Sequence, residues 1–240
     1  MITGGSRGIG GAIAMAFAAE GADVAFCHDD DPEGAAAVAA AIRSHGRRVV
    51  VVQCDVADDA AVQRFWAEGE CVLGPIEILV NNAGIGAEQP FESIDLATFD
   101  RTIAVNLRAP FHFAKLATPN MRARRWGRII NIASQLAHKG APGLTHYCAA
   151  KAGVVGLTRA LAIELAGSGI LVNAIAPGII ETRLNEGLTD DWKARKLSEL
   201  PIGRFGTPSE IAPTAVLLAS SDGDFYVGQT LSPNGGDVFL

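Results

Sequence analysis

Short runs rich in valine, isoleucine and alanine alternate along the chain with longer stretches whose apolar residues recur every three to four positions. The short runs fall at 23–27, 48–54, 76–81, 127–132 and 171–176, with a last brief one near 229–232, and these are expected strands. Between them the helical period predicts helices over 11–20, 32–45, 60–73, 96–124, 147–166 and 209–219. The strand runs are apolar throughout rather than alternating, as in strands covered on both faces. Strand–helix alternation of this kind predicts an α/β fold with a mainly parallel sheet between helical layers. No repeat or linker interrupts it, so residues 1–240 are expected to form a single domain. The least regular segment is 179–205, which carries Thr182, Gly187, Trp192, Pro201 and Gly203.

Composition narrows the function. The 240 residues are 49% hydrophobic and 19% charged, enough for one full core and rather apolar on the outside. A net charge of −6 argues against a general nucleic-acid binder. No apolar run reaches membrane-spanning length and no secretion signal opens the sequence, so no membrane partner and a cytoplasmic location are expected. The four cysteines, Cys27, Cys54, Cys71 and Cys148, are dispersed without a C-x2-C pair, as small buried hydrophobes of a reducing compartment would be. The five histidines lack metal-ligand spacing, so no metal site is expected. Arg122, Arg124, Arg125 and Arg128 form the one basic cluster, a solvated helix end or a contact for an acidic carrier protein.

The chemistry concentrates in two places. Tyr147 and Lys151 stand four apart in a helical stretch and share a face. An ammonium beside a phenol favours the phenolate and brings its pKa, ordinarily near ~10, toward the working range. Ser134, thirteen positions before Tyr147, could hold a substrate oxygen against the phenol. Near the start, Thr3-Gly4-Gly5-Ser6-Arg7-Gly8-Ile9-Gly10 leads into a helix, and such a helix N-terminus offers N–H groups and a positive dipole end to a diphosphate. Gly4 would allow the tight turn, Gly8 the approach of the cofactor, and Gly10 close helix–strand packing. No Lys-Ser/Thr pair follows the glycines, so this is not a Walker loop.

Together these segments resemble the short-chain dehydrogenase/reductase family over almost the whole chain. The glycine pattern is met by Thr3, Gly4, Gly8 and Gly10, the Asn-Asn-Ala-Gly motif by residues 81–84, and the helix asparagine by Asn106. Ser134, Tyr147 and Lys151 follow in order, then Pro177-Gly178 with Thr182 close behind. The resemblance implies a Rossmann-type doubly wound parallel sheet in three α/β/α layers, with 179–205 as a mobile lid. Only Met1 and Ile2 precede the glycine motif, where the family has several more apolar residues. That shortening of a central strand is expected to remove core contacts, the native chain beginning earlier or its start being missing.

The implied activity is hydride transfer between nicotinamide and a secondary alcohol or ketone, with the cofactor carrying the hydride. Tyr147 would be the general acid or base, Lys151 its pKa modulator and a ribose contact, Ser134 the oxygen-polarising group, and Asn106 the holder of a relay water. Ser6, Arg7 and Ile9 belong to the implied diphosphate loop. Asp55 and Val56 would meet adenine, Asn82, Ala83 and Gly84 the adenosine ribose, and Pro177, Gly178, Ile180 and Thr182 the nicotinamide end. His28, Asp29 and the following acids face the ribose hydroxyl that separates NAD from NADP, and their charge would repel a phosphate. Arg7 points the other way, and NAD is slightly favoured over NADP. The branch resembled is the 3-oxoacyl reductase-like one, with a small-molecule or acyl-chain carbonyl or alcohol as substrate. Sugar or polyol oxidation is the alternative, and a redox-sensing dinucleotide module the reading of another class. The resemblance further implies a homo-oligomer, a dimer or tetramer.

Overall fold

A computed structural model describes residues 1–182 and 189–239. Six strands, β1 (Val24–His28), β2 (Val49–Gln53), β3 (Ile78–Asn81), β4 (Gly127–Ile132), β5 (Ile170–Ile175) and β6 (Thr230–Leu231), all pair in parallel. β1 pairs β2, and β3 to β6 form a second run. Ile2 joins the two. Its N–H donates to Ala25 O at 2.8 Å and its carbonyl accepts from Cys27 N–H at 3.2 Å, while Met1 O and Thr3 N–H pair with Val80 on the other side at 2.8 and 3.0 Å. Two apolar residues therefore suffice to close the sheet centre, and Ile2 is 1% exposed. The expected loss of core contacts is not found there.

Helices cover both faces. α1 (Gly8–Ala19), α2 (Pro32–Ser44) and α9 (Pro208–Ala219) bury Ile13, Phe17, Val38, Ile42 and Leu218 against one side. α3 (Asp59–Leu73), α5 (Ala109–Arg124) and α7 (Thr145–Leu165) cover the other, where the rings of Phe65 and Phe113 meet edge-on at 6.0 Å. This is the expected three-layer single domain. Crossovers leave β1 and β3 in opposite directions on either side of Ile2, so a crevice opens at their carboxyl ends, where open α/β sheets bind ligands.

The expected helix over 96–124 is α4 (Leu96–Ile103), a π-helical turn (Ala104–Arg108) and α5. Such turns recur at functional sites, and this one holds Asn106. A buried polar chain fixes α7 on the sheet: Asn81 Nδ2 donates to Asn131 Oδ1 at 2.8 Å, and Asn131 Nδ2 to Thr158 Oγ1 at 2.9 Å. Within 179–205, α8 (Asp190–Glu199) is a helix capped by Thr189, whose hydroxyl accepts from Trp192 N–H. Residues 183–188 of the expected lid, Gly187 among them, lie outside the described residues.

The arginine cluster is not a free basic patch. Arg128 is 3% exposed, pairs with Asp224 and lies 4.5 Å over the Trp126 ring. Arg122 bonds Glu164, Arg124 bonds Glu77, and Arg125 reaches Gly167 O. Their charge is largely answered within the chain, which removes the observation that suggested a carrier contact there.

Candidate active site

A cleft of about 900 Å³ opens at the crevice beside Ile2. Of the sequence-predicted residues it brings together Gly4, Ser6, Arg7, Gly8 and Ile9 from the glycine loop, and His28 and Asp29 from the end of β1. Asp55 and Val56 join after β2, and Asn82, Ala83 and Gly84 after β3. Ser134, Tyr147, Lys151, Pro177 and Thr182 close the other end. Gly10, Asn106, Gly178 and Ile180 do not line it. Gly10 lies beneath the loop, where a Cβ would stand 2.2 Å from Gly4 O. Gly178 packs on Asn234, and the Ile180 side chain is buried in the core.

The glycine loop is held from below. Asn82 Nδ2 donates to Thr3 O and Gly4 O, both at 2.9 Å, and Thr3 Oγ1 accepts the N–H groups of Asn82 and Ala83 at 3.0 and 2.9 Å. The Asn82 Nδ2 is thus committed to the loop, while the residue also lines the cleft. Gly4 and Gly8 sit at φ +66 and +55°, and Cβ atoms there would crowd Ala83 and Thr182 at 3.1 and 3.3 Å. The result is a cradle of exposed backbone at the start of α1, which fits a diphosphate.

At the ribose end, Arg7 pairs with Asp31 at 3.1 Å, and His28 Nδ1 accepts Asp31 N–H at 3.2 Å. Asp55 bonds Arg101 at 2.8 Å and Ala57 N–H at 2.9 Å. Burial raises the Asp55 carboxyl, but these donors more than offset it and leave it below the usual range. Cys54, distant in sequence, neighbours the buried thiol of Cys27 and together with burial raises it. Cys71 is exposed and Cys148 half-buried, so uniform burial of the four does not hold.

At the other end α7 presents Tyr147 and Lys151 to the carboxyl end of β4. Ser134 stands beside the Tyr147 phenol, and its Oγ accepts Leu136 N–H at 3.1 Å. Lys151 Nζ donates to Ile132 O at 2.8 Å and stands 5.6 Å from the Tyr147 ring centre. Burial pushes the phenol up to about 12, although part of the ring still faces the cleft, and the neighbouring Ser134 hydroxyl only moderates this. Burial also brings Lys151 down to about 8. The expected fall of the phenol pKa is therefore not found in the free protein: desolvation outweighs an ammonium that is itself committed to a carbonyl.

Asn106 is fully buried behind this end. Its Nδ2 donates to Ile85 O at 2.8 Å and Thr102 O at 3.0 Å, while Oδ1 has no partner. A Cβ on Gly84 would lie 2.9 Å from that oxygen and 3.5 Å from Lys151 Nζ, and one on Gly86 would lie 2.8 Å from the Tyr147 ring. Sequence reasoning missed Gly86, Arg101 and His146, all of which line the cleft. His146 is 2% exposed with Nδ1 unpartnered, and its only sequence signal was its position beside Tyr147. His138 sits half-buried on the short helix α6 (Leu136–Lys139).

A family model described as Enoyl-(Acyl carrier protein) reductase matches residues 4–237. The chain is 40% identical over 236 residues to the 3-oxoacyl-(acyl-carrier-protein) reductase of Staphylococcus aureus, covering 98% of this chain and 96% of that protein. Among solved structures, a blue fluorescent protein from a metagenomic library, in complex with NADPH, superposes with a TM-score of 0.93 at 38% identity, covering 99% of this chain and 96% of the other. A short-chain dehydrogenase/reductase mutant of Serratia marcescens gives 0.91 at 36%, covering 98% and 96%.

Proposed function

The chain belongs to the short-chain dehydrogenase/reductase family, and on that premise we propose that it is an NAD(P)-dependent oxidoreductase that reduces 3-oxoacyl thioesters or related ketones to secondary alcohols. The observation that carries this is the meeting, in one cleft, of a glycine cradle at a helix N-terminus with Ser134, Tyr147 and Lys151. A redox-sensing module would have no use for those three side chains. When bound, the nicotinamide supplies the hydride. Ser134 holds the substrate oxygen, and Tyr147 delivers the proton to it, which a phenol with its pKa near 12 retains across the neutral range. Lys151, positively charged below about pH 8, stabilises the phenolate left behind. The unpartnered Asn106 Oδ1 offers an acceptor for a relay water behind Lys151.

The cradle residues Gly4, Ser6, Arg7, Gly8 and Ile9 hold the diphosphate, and Asp55 and Val56 the adenine. Asp29 and Asp30 are exposed at the ribose rim and Arg7 is already paired with Asp31, so the local charge favours NAD. The NADPH-bound relative points to the phosphorylated form, and binding decides between them. Sugar or polyol oxidation is the second reading, favoured by the same acidic rim. A cytoplasmic location accords with four free thiols and with the absence, among the described residues, of any helix long and apolar enough to cross a membrane.

The test is reduction of an acetoacetyl thioester followed at the nicotinamide absorbance, on wild type and Tyr147→Phe. Wild-type turnover that falls about 10²–10⁴-fold in the variant, with cofactor binding retained, is expected. Turnover of sugars or polyols only would replace the substrate class, and no turnover of either, with cofactor bound, would favour the sensor.

A further inference from the structure

The Asp237 carboxylate, with its side chain 6% exposed, gathers donors from two separate parts of the chain. Gln135 Nε2 and Lys139 Nζ reach Oδ2 at 2.6 and 2.8 Å, and Lys196 Nζ reaches Oδ1 at 2.7 Å. Gln135 directly follows Ser134, and its N–H donates to Pro177 O at 3.0 Å. Lys139 ends α6, while Lys196 lies on α8, beyond the point where the chain leaves the cleft at Thr182. The tail that carries Asp237 is itself pinned. Gly178 N–H donates to Pro233 O at 3.1 Å, and Ile202 N–H to Gly235 O at 3.2 Å. A Cβ on Gly178 would stand 2.7 Å from the Asn234 Cα, so the tail passes hard against the segment leaving β5.

Burial would raise this carboxyl, but the two lysines and Gln135 more than offset it and hold it below the usual range. Lys196 is 14% exposed and, among the described residues, has Glu199 at 3.1 Å as its other carboxylate partner, so it leans on Asp237. Removing the carboxylate charge would leave two ammonium groups facing each other at a largely buried point, which is strongly unfavourable. A carboxamide there would present N–H groups to one of them. The contact is one of charge, and what it ties is the backbone next to Ser134 to helix α8.

We propose that Asp237 is a positioning residue for the reaction: its charge fastens α8 to the segment that follows Ser134, so that the Ser134 hydroxyl keeps its place beside Tyr147 in the cleft. This rests on the reading of Ser134 and Tyr147 as the pair that receives the carbonyl oxygen. It assigns no contact with substrate to Asp237 itself.

The experiment compares wild type, Asp237→Asn, Asp237→Glu and Lys196→Gln. It reads KM and kcat for an acetoacetyl thioester, cofactor affinity by fluorescence, and hydrogen exchange in peptides spanning residues 190–199. Asp237→Asn is expected to raise KM about tenfold, as loss of a charged hydrogen bond implies, with a smaller fall in kcat. Exchange in α8 is expected to quicken while cofactor affinity stays within about twofold. Asp237→Glu should recover part of the KM, because the charge is kept. An unchanged KM with unchanged α8 exchange overturns the proposal. So does a loss shared equally by cofactor affinity, kcat and thermal stability, which is what a merely structural role would give. Should Asp237→Asn not fold, Lys196→Gln, on the outer side of the contact, must show the same KM rise and faster exchange or the proposal fails. If wild type reduces no keto thioester, the assigned substrate class fails, while α8 exchange in the variants still decides whether Asp237 fastens the helix.

Discussion

Tyr147 and Lys151 each owe their protonation state to burial more than to their neighbours. Burial lowers Lys151 to about 8 from an ordinary 10.5, so the folded state sheds that proton more readily than the unfolded one. This contribution makes stability rise with pH between about 8 and 10.5, where the unfolded chain holds more protons. Activity runs the other way. Ketone reduction is expected to hold below about pH 8 and decline above it as the charge next to the phenolate is lost. In a kcat/KM profile, Lys151→Arg, which stays charged, should move that decline upward; an unmoved decline would assign it to another group. At the opposite rim, Asp29→Ala removes one of the exposed carboxylates facing the ribose. Fluorescence titration should show NADH binding more tightly than NADPH in wild type and a gap narrowed about tenfold or less in the variant. Tighter NADPH binding by wild type would make Arg7 the deciding charge.

Elements matter through how their ends meet. The glycine loop and the β3 end are one unit, because Asn82 spans from one to the other through two carbonyls. Asn82→Ala leaves Thr3 O and Gly4 O without that donor, at a cost of about 1–3 kcal/mol. A lowered melting temperature together with cofactor binding weakened about tenfold is the expected pair of readings; lost stability with intact binding would mean that the loop keeps its shape unaided. The π turn at Asn106 has the same character. A regular helix over 96–124 satisfies the hydrophobic period equally well, and the packing of α4 and of the turn itself against α7 accompanies the extra residue in the turn.

At the scale of the molecule, several large apolar side chains stand open on the surface. Leu96 on α4, Phe111 on α5 and Ile163 on α7 are 80, 52 and 85% exposed, and Phe225 is 99% exposed. Large apolar side chains this open mark contact surfaces, and a homo-oligomer built on them is the proposed assembly. Light scattering at micromolar concentration is expected to give a dimer or tetramer, and Ile163→Glu or Phe225→Asp to lower the mass. A wild-type monomer would refute the assembly.

What could be read along the chain was whatever depends on neighbours in sequence. The valine- and isoleucine-rich runs became strands within one or two residues of their expected bounds, because a strand covered on both faces is apolar at most of its positions. The Tyr147–Lys151 spacing and the glycines of the loop were equally legible, since helix pitch and positive φ are local constraints. Ile2 joining both halves of the sheet, the thiols of Cys27 and Cys54 meeting, Arg128 buried on Asp224, and Asp237 gathering Gln135, Lys139 and Lys196 could not be read that way. Each joins residues that only the fold brings together. The pKa values of Tyr147 and Lys151 belong with them: the sequence placed a cation beside a phenol, but how far each is removed from water is decided by everything packed around them.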